Sequence, residues 1–359
     1  MSAEPMVDVV IAVHRETRPI GRAVASALDG TSADVRVTVV AHHLDPETLR
    51  GPLGEVADDA RVRVVRFDDG LQSPAGPKNH GLSIATGRYV SMLDSDDVFE
   101  LGAIDSWLAT AERDRADAVI AAKRSAAGRV ESAPPVRVGR RCRLDGARDR
   151  LSYRTAVHGG LIRRARFLEL RFSEGLRTGE DHRFTAELWF SGARVSYPVG
   201  APGYRELTDQ QDRVTADVPP VVDEFRYLDE LLDPGTSWMR DARSRSALLV
   251  KLVRLQLFDA VNNRLAQWDG AVAAELSEVA RRLVETEPRL RNALSAAEDR
   301  LLSAVLAAEG SSDRLAALVA ARGSLRSPAA LIPRSWWRAL GRQAPLRTHL
   351  AGAMLVRTR

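Results

Sequence analysis

The chain has a single cysteine, Cys142. That excludes a disulfide framework within the chain and a cysteine-held zinc site, and it fits a reducing compartment. The seven histidines show no HExxH spacing, so a zincin-type helix is excluded too. No apolar run is long enough to cross a bilayer. The opening residues carry an early acid and pass straight into a strand, unlike a secretory signal. The expected location is the cytoplasm, with peripheral contact at the inner face of the membrane as an addition. GxGxxG does not follow the first strand and GxxxxGK[ST] does not occur, which removes the dinucleotide and P-loop fingerprints. Lysine is scarce, and arginine supplies nearly all of the positive charge. The net charge of +4 permits anionic partners such as phosphates or a membrane surface without choosing between them. No nucleic-acid partner is expected.

The most informative stretch is 73–97, SPAGPKNHGLSIATGRYVSMLDSDD. Pro74, Gly76 and Pro77 predict a loop. A short helix is expected from Lys78, with Leu82 and Ala85 on its apolar face and Gly87 ending it. Residues 88–93 read as a buried strand, and Asp94, Asp96 and Asp97 follow at once. A strand inside a sheet cannot carry unpaired carboxylates. The acids therefore belong at its carboxyl end, where open α/β sheets bind ligands. Clustered carboxylates suit a hard cation such as Mg²⁺ or Mn²⁺ that also takes phosphate oxygens. A solvated turn capping the next helix accounts for the same spacing.

Residues 7–13, 36–41 and 62–67 read as further strands, with helices over 20–28 and 46–53 between them. This alternation predicts an α/β fold with a mostly parallel, doubly wound sheet flanked by helices. Right-handed crossovers gather the polar loops 14–18, 42–45, 68–79 and 94–97 on one edge. The resulting crevice suits a nucleoside diphosphate with a metal.

In this order the motifs resemble those of the family 2 glycosyltransferases, of the nucleotide-sugar-binding, single-sheet type called GT-A. Val13-His14-Arg15-Glu16 stands where the family ends its first strand. Lys78-Asn79-His80-Gly81 stands for Arg-Asn-x-Gly, and Ala85-Thr86-Gly87-Arg88-Tyr89-Val90 for Ala-x-Gly-x-Tyr-Val. Leu93-Asp94-Ser95-Asp96-Asp97 matches the acidic DXD signature. The resemblance covers residues 7 to about 215. It implies inverting transfer of a sugar from a nucleoside-diphosphate sugar, of the UDP-sugar type, to a hydroxyl of a glycan or lipid-linked acceptor. It also implies a Mn²⁺ or Mg²⁺ cofactor and a role in cell-surface or secondary glycan synthesis.

By the same resemblance, Asp94 and Asp96 are the metal ligands. Val13, His14, Glu16, His42, Asp45, Lys78, Asn79, Asp94, Ser95 and Arg205 contact the donor. Asp181 is the general base on the acceptor hydroxyl, with Glu180 as its neighbour and orienter. Taken alone, these two would be ordinary first-turn acids of a helix over 180–190. The loop 209–215, with Arg213, is expected to close over the diphosphate beside Arg205. His158, before Gly159-Gly160, reads as a structural turn. One departure is plain: Ala41-His42-His43-Leu44-Asp45 replaces the family's Asp-Asp-Gly-Ser. The base contact then passes to His42 or Asp45, or the base is not uracil. Two rivals stay open. A sugar-nucleotide nucleotidyltransferase lacks its usual glycine-rich, arginine-bearing loop here. A non-catalytic nucleotide-binding scaffold is at odds with the intact acids.

With 359 residues the chain is long enough for two domains. After Pro219-Pro220 it becomes alanine-rich and helix-forming. A transferase domain over 1–219 and a helical domain over 220–359 are expected, with helices over 246–265, 271–284 and 301–318. No acid follows Asp313, whereas Arg314, Arg322, Arg334, Arg338, Arg342 and Arg347 do, with Trp336 and Trp337 among them. A basic, tryptophan-bearing stretch can lie on an anionic membrane. The expected reading is instead a docking helix whose tryptophans pack on the catalytic part or on a second subunit.

Overall fold

The computed structural model describes residues 4–128, 136–137, 139–155, 157–207, 218–324 and 327–357, with 355–357 described by backbone alone. The first strands are β1 (Val7–Val13), β2 (Val35–His42), β3 (Val62–Phe67) and β4 (Tyr89–Met92). Shorter pieces follow: β5 (Val98–Phe99), β6 (Ala118–Val119), β7 (Lys123–Arg124), β8 (Leu161–Arg163), β9 (Val195–Ser196) and β10 (Tyr204–Arg205). Seven of them form one sheet in the order β3-β2-β1-β4-β8-β6-β9. Every pairing in it is parallel except those of β8, which runs antiparallel to β4 and β6. A small sheet, β5-β10-β7, sits beside it. The parallel register sets Val7 opposite Val35 and Tyr89, so the ends of β1, β2 and β4 open on one edge.

The runs of valine and isoleucine in β1 and β2 are buried on both faces, as a covered parallel sheet requires. Asp8 is the exception that proves paired: it lies in β1 with no exposure. Arg36 donates to both of its oxygens at 2.8 and 2.9 Å, and the amides of Thr86 and Gly87 donate to Oδ2 at 2.7 and 2.6 Å. With four donors on its two oxygens, a buried carboxylate is tolerated.

Helices α1 (Ile20–Leu28), α2 (Ala75–Ile84), α3 (Ala103–Asp114) and α4 (Asp181–Phe190) cover the sheet. Helix α2 begins at Ala75, earlier than the Lys78 expected from sequence. Its first turn contains Gly76 and Pro77, and a proline there costs no bond because first-turn N–H groups have no intrahelical partner. Gly87 does not end it. The helix stops at Ile84, with Ala85 already extended.

Beyond residue 220 the described elements are all helical. They include α5 (Ala242–Lys251), a π-helical turn Leu252–Leu257, α6 (Phe258–Asn263), α7 (Gly270–Thr286), α8 (Ala296–Leu306) and α9 (Ser312–Gly323). The helix expected over 301–318 is two helices, broken where Ala308 and Gly310 take φ of 50° and 115°. Ser295 starts α8 with a reciprocal capping box to Glu298. Buried Arg254 then binds both Glu298 oxygens at 2.8 and 3.0 Å and reaches Tyr153 of the first half at 3.1 Å. Trp336 and Trp337 are 73% and 69% exposed, so they do not dock on the catalytic half as expected. Among the described residues no helix is long and apolar enough to cross a membrane.

Candidate active site

At the carboxyl edge of the sheet, Asp94 draws partners from three distant segments of the chain. It follows β4 and keeps a third of its side chain exposed. Lys78 Nζ, from α2, lies 3.7 Å from Asp94 Oδ1, and His158 Nδ1 lies 2.9 Å from Oδ2. The Tyr204 hydroxyl, from β10, donates to Asp97 Oδ2 at 2.5 Å and reaches Asp94 Oδ2 at 3.4 Å. Burial alone would push the Asp94 carboxyl up. Lys78 and then His158 outweigh it and hold the group well below the usual carboxylate range. Asp97 goes the other way: burial, with the charges of Asp94 and Asp96 adding to it, pushes it up to about 6 despite bonds from Tyr204 and the Leu207 amide. Asp96 pairs with Arg18 Nη1 at 2.5 Å, and its carbonyl accepts from Arg22 at 2.9 Å.

The other acids enter from α4. Glu180 immediately precedes the helix and Asp181 opens it. Gly179, at φ 80°, permits this turn: a Cβ there would stand 2.5 Å from the Tyr227 ring. The link to Asp94 is Lys78. Burial opposes its charge, but the fields of Asp94, Glu180 and Asp181 together raise the amine above its ordinary range. The pair is also split in character. Glu180 is pushed up by burial and by Asp181, against the pull of Lys78. Asp181 is held down despite burial by the His182 hydrogen bond, Lys251 and Lys78. His182 Nδ1 lies 2.9 Å from Asp181 Oδ1. Burial and Lys251 keep that imidazole neutral, and a carboxylate only accepts, so Nδ1–H is the donor.

The expected residues therefore divide. Lys78, Asp94, Glu180 and Asp181 share one electrostatic environment. Val13 ends β1 and is buried, His14 and Glu16 are exposed in the loop after it, and Ser95 is buried in the acidic turn. Asn79 has its amide engaged elsewhere. It donates to Phe172 O and Glu174 Oε1 at 3.0 and 2.9 Å and accepts from Phe172 N at 2.8 Å, which clamps the 172–174 segment to α2. Asp45 caps the turn Pro46–Leu49. Arg205 pairs with Glu100 at 2.8 Å. His42 Nε2 meets Asp69 Oδ1 at 2.9 Å beside His43. The loop 209–215 and Arg213 lie outside the described residues.

Sequence reasoning placed neither Tyr204 nor Arg18 at the acids and read His158 as a turn. The Gly159-Gly160 pair carried a signal. Gly160 has φ 71°, and a Cβ there would stand 2.1 Å from Val119 O, so only glycine lets the chain turn against the sheet and deliver His158 to Asp94.

As to a cation, Asp94 and Asp96 offer only carboxylate oxygens, the donor type that Mg²⁺ and Mn²⁺ take, with room for phosphate oxygens on the exposed part of Asp94. The residues present fit such an ion. Among the described residues, the cluster of three His/Asp ligand atoms within 4.8 Å of one another is elsewhere, at His42, His43 and Asp69.

The sheet order and the flanking helices define a protein of the GT-A fold class. Residues 8–168 match the family model described as glycosyl transferase family 2. Enzymes of this kind are generally dependent on a divalent metal. The chain is 32% identical over 205 residues to the succinoglycan biosynthesis protein ExoU of Rhizobium meliloti (strain 1021), covering 52% of this chain and 57% of that one. It is 30% identical over 214 residues to ExoO of the same organism, covering 56% and 60%. The chain thus spans somewhat more than half the length of these relatives. Residues 1–349 of S. aureus TarS, solved with UDP-GlcNAc, share the fold at a TM-score of 0.70 and 17% identity, over 88% of this chain and 90% of that one.

Proposed function

We propose that this chain is an inverting glycosyltransferase. It moves a sugar from a nucleoside-diphosphate sugar, of the UDP-sugar type, to a hydroxyl of a glycan or lipid-linked acceptor in polysaccharide synthesis. The observation that carries the reading is Lys78, whose charge acts on Asp94 and on the Glu180–Asp181 pair at once. In this reading, two acid groups far apart in sequence form two walls of one cleft. The likeness to succinoglycan biosynthesis proteins supports the polysaccharide role. The UDP-GlcNAc held by TarS, which has the same fold, supports the donor type.

Asp181, the ionised member of a pair pushed apart in affinity for protons, takes the proton of the acceptor hydroxyl. The hydroxyl oxygen attacks the anomeric carbon. The bond from that carbon to the diphosphate oxygen breaks with its electron pair leaving on the diphosphate. One displacement inverts the centre. Lys78 stabilises the charge that develops. Asp94, fixed by His158 and Tyr204, and Asp96 would hold Mg²⁺ or Mn²⁺, which when bound neutralises the diphosphate leaving group. The donor contacts proposed are Val13, His14, Glu16, His42, Lys78 and Ser95. In the proposed division, 1–219 binds the donor and 220–359 is the helical domain. The arginine-flanked, exposed Trp336 and Trp337 are proposed to rest on an anionic membrane surface.

The test is a thermal-shift screen of sugar nucleotides with and without Mn²⁺, followed by product analysis. Release of nucleoside diphosphate, lost at least about 100-fold in Asp181→Asn with donor binding retained, is the expected result. Pyrophosphate release would replace the reading with nucleotidyl transfer.

A further inference from the structure

We propose that His42, His43 and Asp69 form a second cation site, for a borderline transition ion such as Zn²⁺, which ties the loop after β2 to the loop after β3. The site does not rest on the reading of Asp94 or Asp181, and its failure would leave that reading standing.

The site begins with the backbone. His42 is the last residue of β2, and His43 follows it directly. Successive residues of an extended strand point to opposite faces. His43 instead takes φ of 56°, in the left-handed region that residues other than glycine rarely adopt. Its amide donates to Phe67 O at 3.1 Å, which holds the turn against the end of β3. The two rings come together, with centroids 4.0 Å apart. This is the stretch in which the chain departs from the motif it otherwise follows.

Both rings face Asp69, two residues beyond β3. His42 Nε2 lies 2.9 Å and His43 Nε2 3.3 Å from the same oxygen, Asp69 Oδ1. The Leu71 amide donates to that oxygen at 3.0 Å, and Leu71 O lies 3.0 Å from His43 Nε2. Helix α2 sets the carboxylate from behind: Gly76 lies against Oδ2, and a Cβ there would collide with it. The three ligand atoms are within 4.8 Å of one another. Around a tetrahedral ion with bonds of about 2.0–2.1 Å, ligand atoms stand about 3.3 Å apart. Both nitrogen–oxygen separations are close to that figure.

A carboxylate oxygen only accepts, so without an ion both Nε2 atoms direct a proton at Asp69. An ion takes the place of those protons, and each imidazole then keeps its proton on Nδ1. For His43 the acceptor is in place, since Asp68 Oδ1 lies 3.4 Å from Nδ1. A carboxylate behind the second ring nitrogen is the usual support of a metal-bound histidine. Two imidazole nitrogens with one carboxylate suit Zn²⁺ or Co²⁺ better than Mg²⁺, and three protein ligands leave a position for water or a substrate group. His42 is buried, Asp69 half-buried and His43 exposed, so an ion enters from the His43 side. The ion uses only Nε2 of His42, and the rest of that ring remains for the donor contact proposed above.

The test uses the full chain with Asp94→Asn and Asp96→Asn, which remove the acidic ion ligands, stripped with EDTA and dialysed. Co²⁺ alone is titrated in and read by its visible absorption and by equilibrium dialysis. One ion per chain is expected, with the absorption of Co²⁺ held by imidazole, and excess Mg²⁺ should not displace it. His43→Gln, at an exposed position, and Asp69→Asn should each weaken binding at least about 100-fold, and Asp68→Asn roughly 10–100-fold. Zn²⁺ should raise the melting temperature of the parent. In His43→Gln, which should melt with the parent in EDTA, it should not. Absence of Co²⁺ binding, or binding that His43→Gln and Asp69→Asn leave within a few-fold, overturns the site.

Discussion

Replacing Lys78 by methionine is the perturbation that bears on both acid groups. At 3.7 Å, Lys78 and Asp94 attract by about 4 kcal/mol at an effective dielectric near 20. Lys78 is 18% and Asp94 33% exposed, so desolvation of both offsets most of that. A net loss of about 1–2 kcal/mol of stability remains. The sign with pH follows from Asp94. Its folded carboxyl lies below the unfolded value, so its contribution is present above about pH 4 and is lost as pH falls through the folded value. The stability gap between wild type and Lys78→Met should therefore be steady at neutral pH and close in acid. Turnover, read as nucleoside diphosphate release, should fall by about 10²–10³-fold, the usual cost of removing one electrostatic contact to developing charge. Because Lys78 lowers both Glu180 and Asp181, the acid limb of the residual activity should also move to higher pH. Lys78→Arg should recover part of the stability. Activity in Lys78→Met within a few-fold of wild type, with an unmoved acid limb, would refute the shared-cleft reasoning.

Asp97 gives an opposite pH signature. Its folded carboxyl is raised to about 6, so it favours the folded state below the unfolded value near 4, and that stability is lost as pH rises to about 6. Asp97→Asn should remove a pH dependence on the order of 3 kcal/mol across this window, read by urea melts in EDTA. Asp8→Ala, which strands Arg36 and two amides, should cost roughly 3–5 kcal/mol in the same melts; a cost below about 1 kcal/mol would count against its pairing. Trp336→Ser with Trp337→Ser should leave the melting temperature unchanged, since both rings are exposed, and abolish co-sedimentation with anionic vesicles. Equal binding by wild type and the double variant would remove the membrane proposal.

The parts of this protein legible in the sequence are those set by local, two-sided burial. Strand β1 and helix α1 fall where the valine run and 3.6-residue periodicity put them. The acids at 94–97 could be placed at a strand end because carboxylates cannot lie unpaired inside a sheet. Asp8 shows the limit of that rule, since its partners Arg36, Thr86 and Gly87 come from other elements and leave no local trace. The start of α2 was hidden because proline reads as a breaker yet is harmless in a first turn. The missed residues of the site, Arg18, His158 and Tyr204, reach the acids only through tertiary folding. Asn79 shows the converse: a motif position whose amide the fold uses to clamp a loop.

That distinction bears on what the helical half is for. Helix α4 lies between two cores. Its Phe184, Leu188 and Trp189 belong to the cluster that packs on the sheet, while Ala186 belongs to the cluster built from the C-terminal helices. Ser173, just ahead of it, donates to Glu230 at 2.6 Å, and Tyr227 packs its ring 4.1 Å from that of His182. The segment that presents Glu180 and Asp181 is thus wedged by contacts from both sides. A sheet of this class can display its strand-end acids by itself, because β1 and β4 hold them in register. The acid on α4 has no strand to fix it. Its position depends on the second core, so in the proposed reading the helices beyond residue 220 hold the base in place as the sheet holds the strand-end acids.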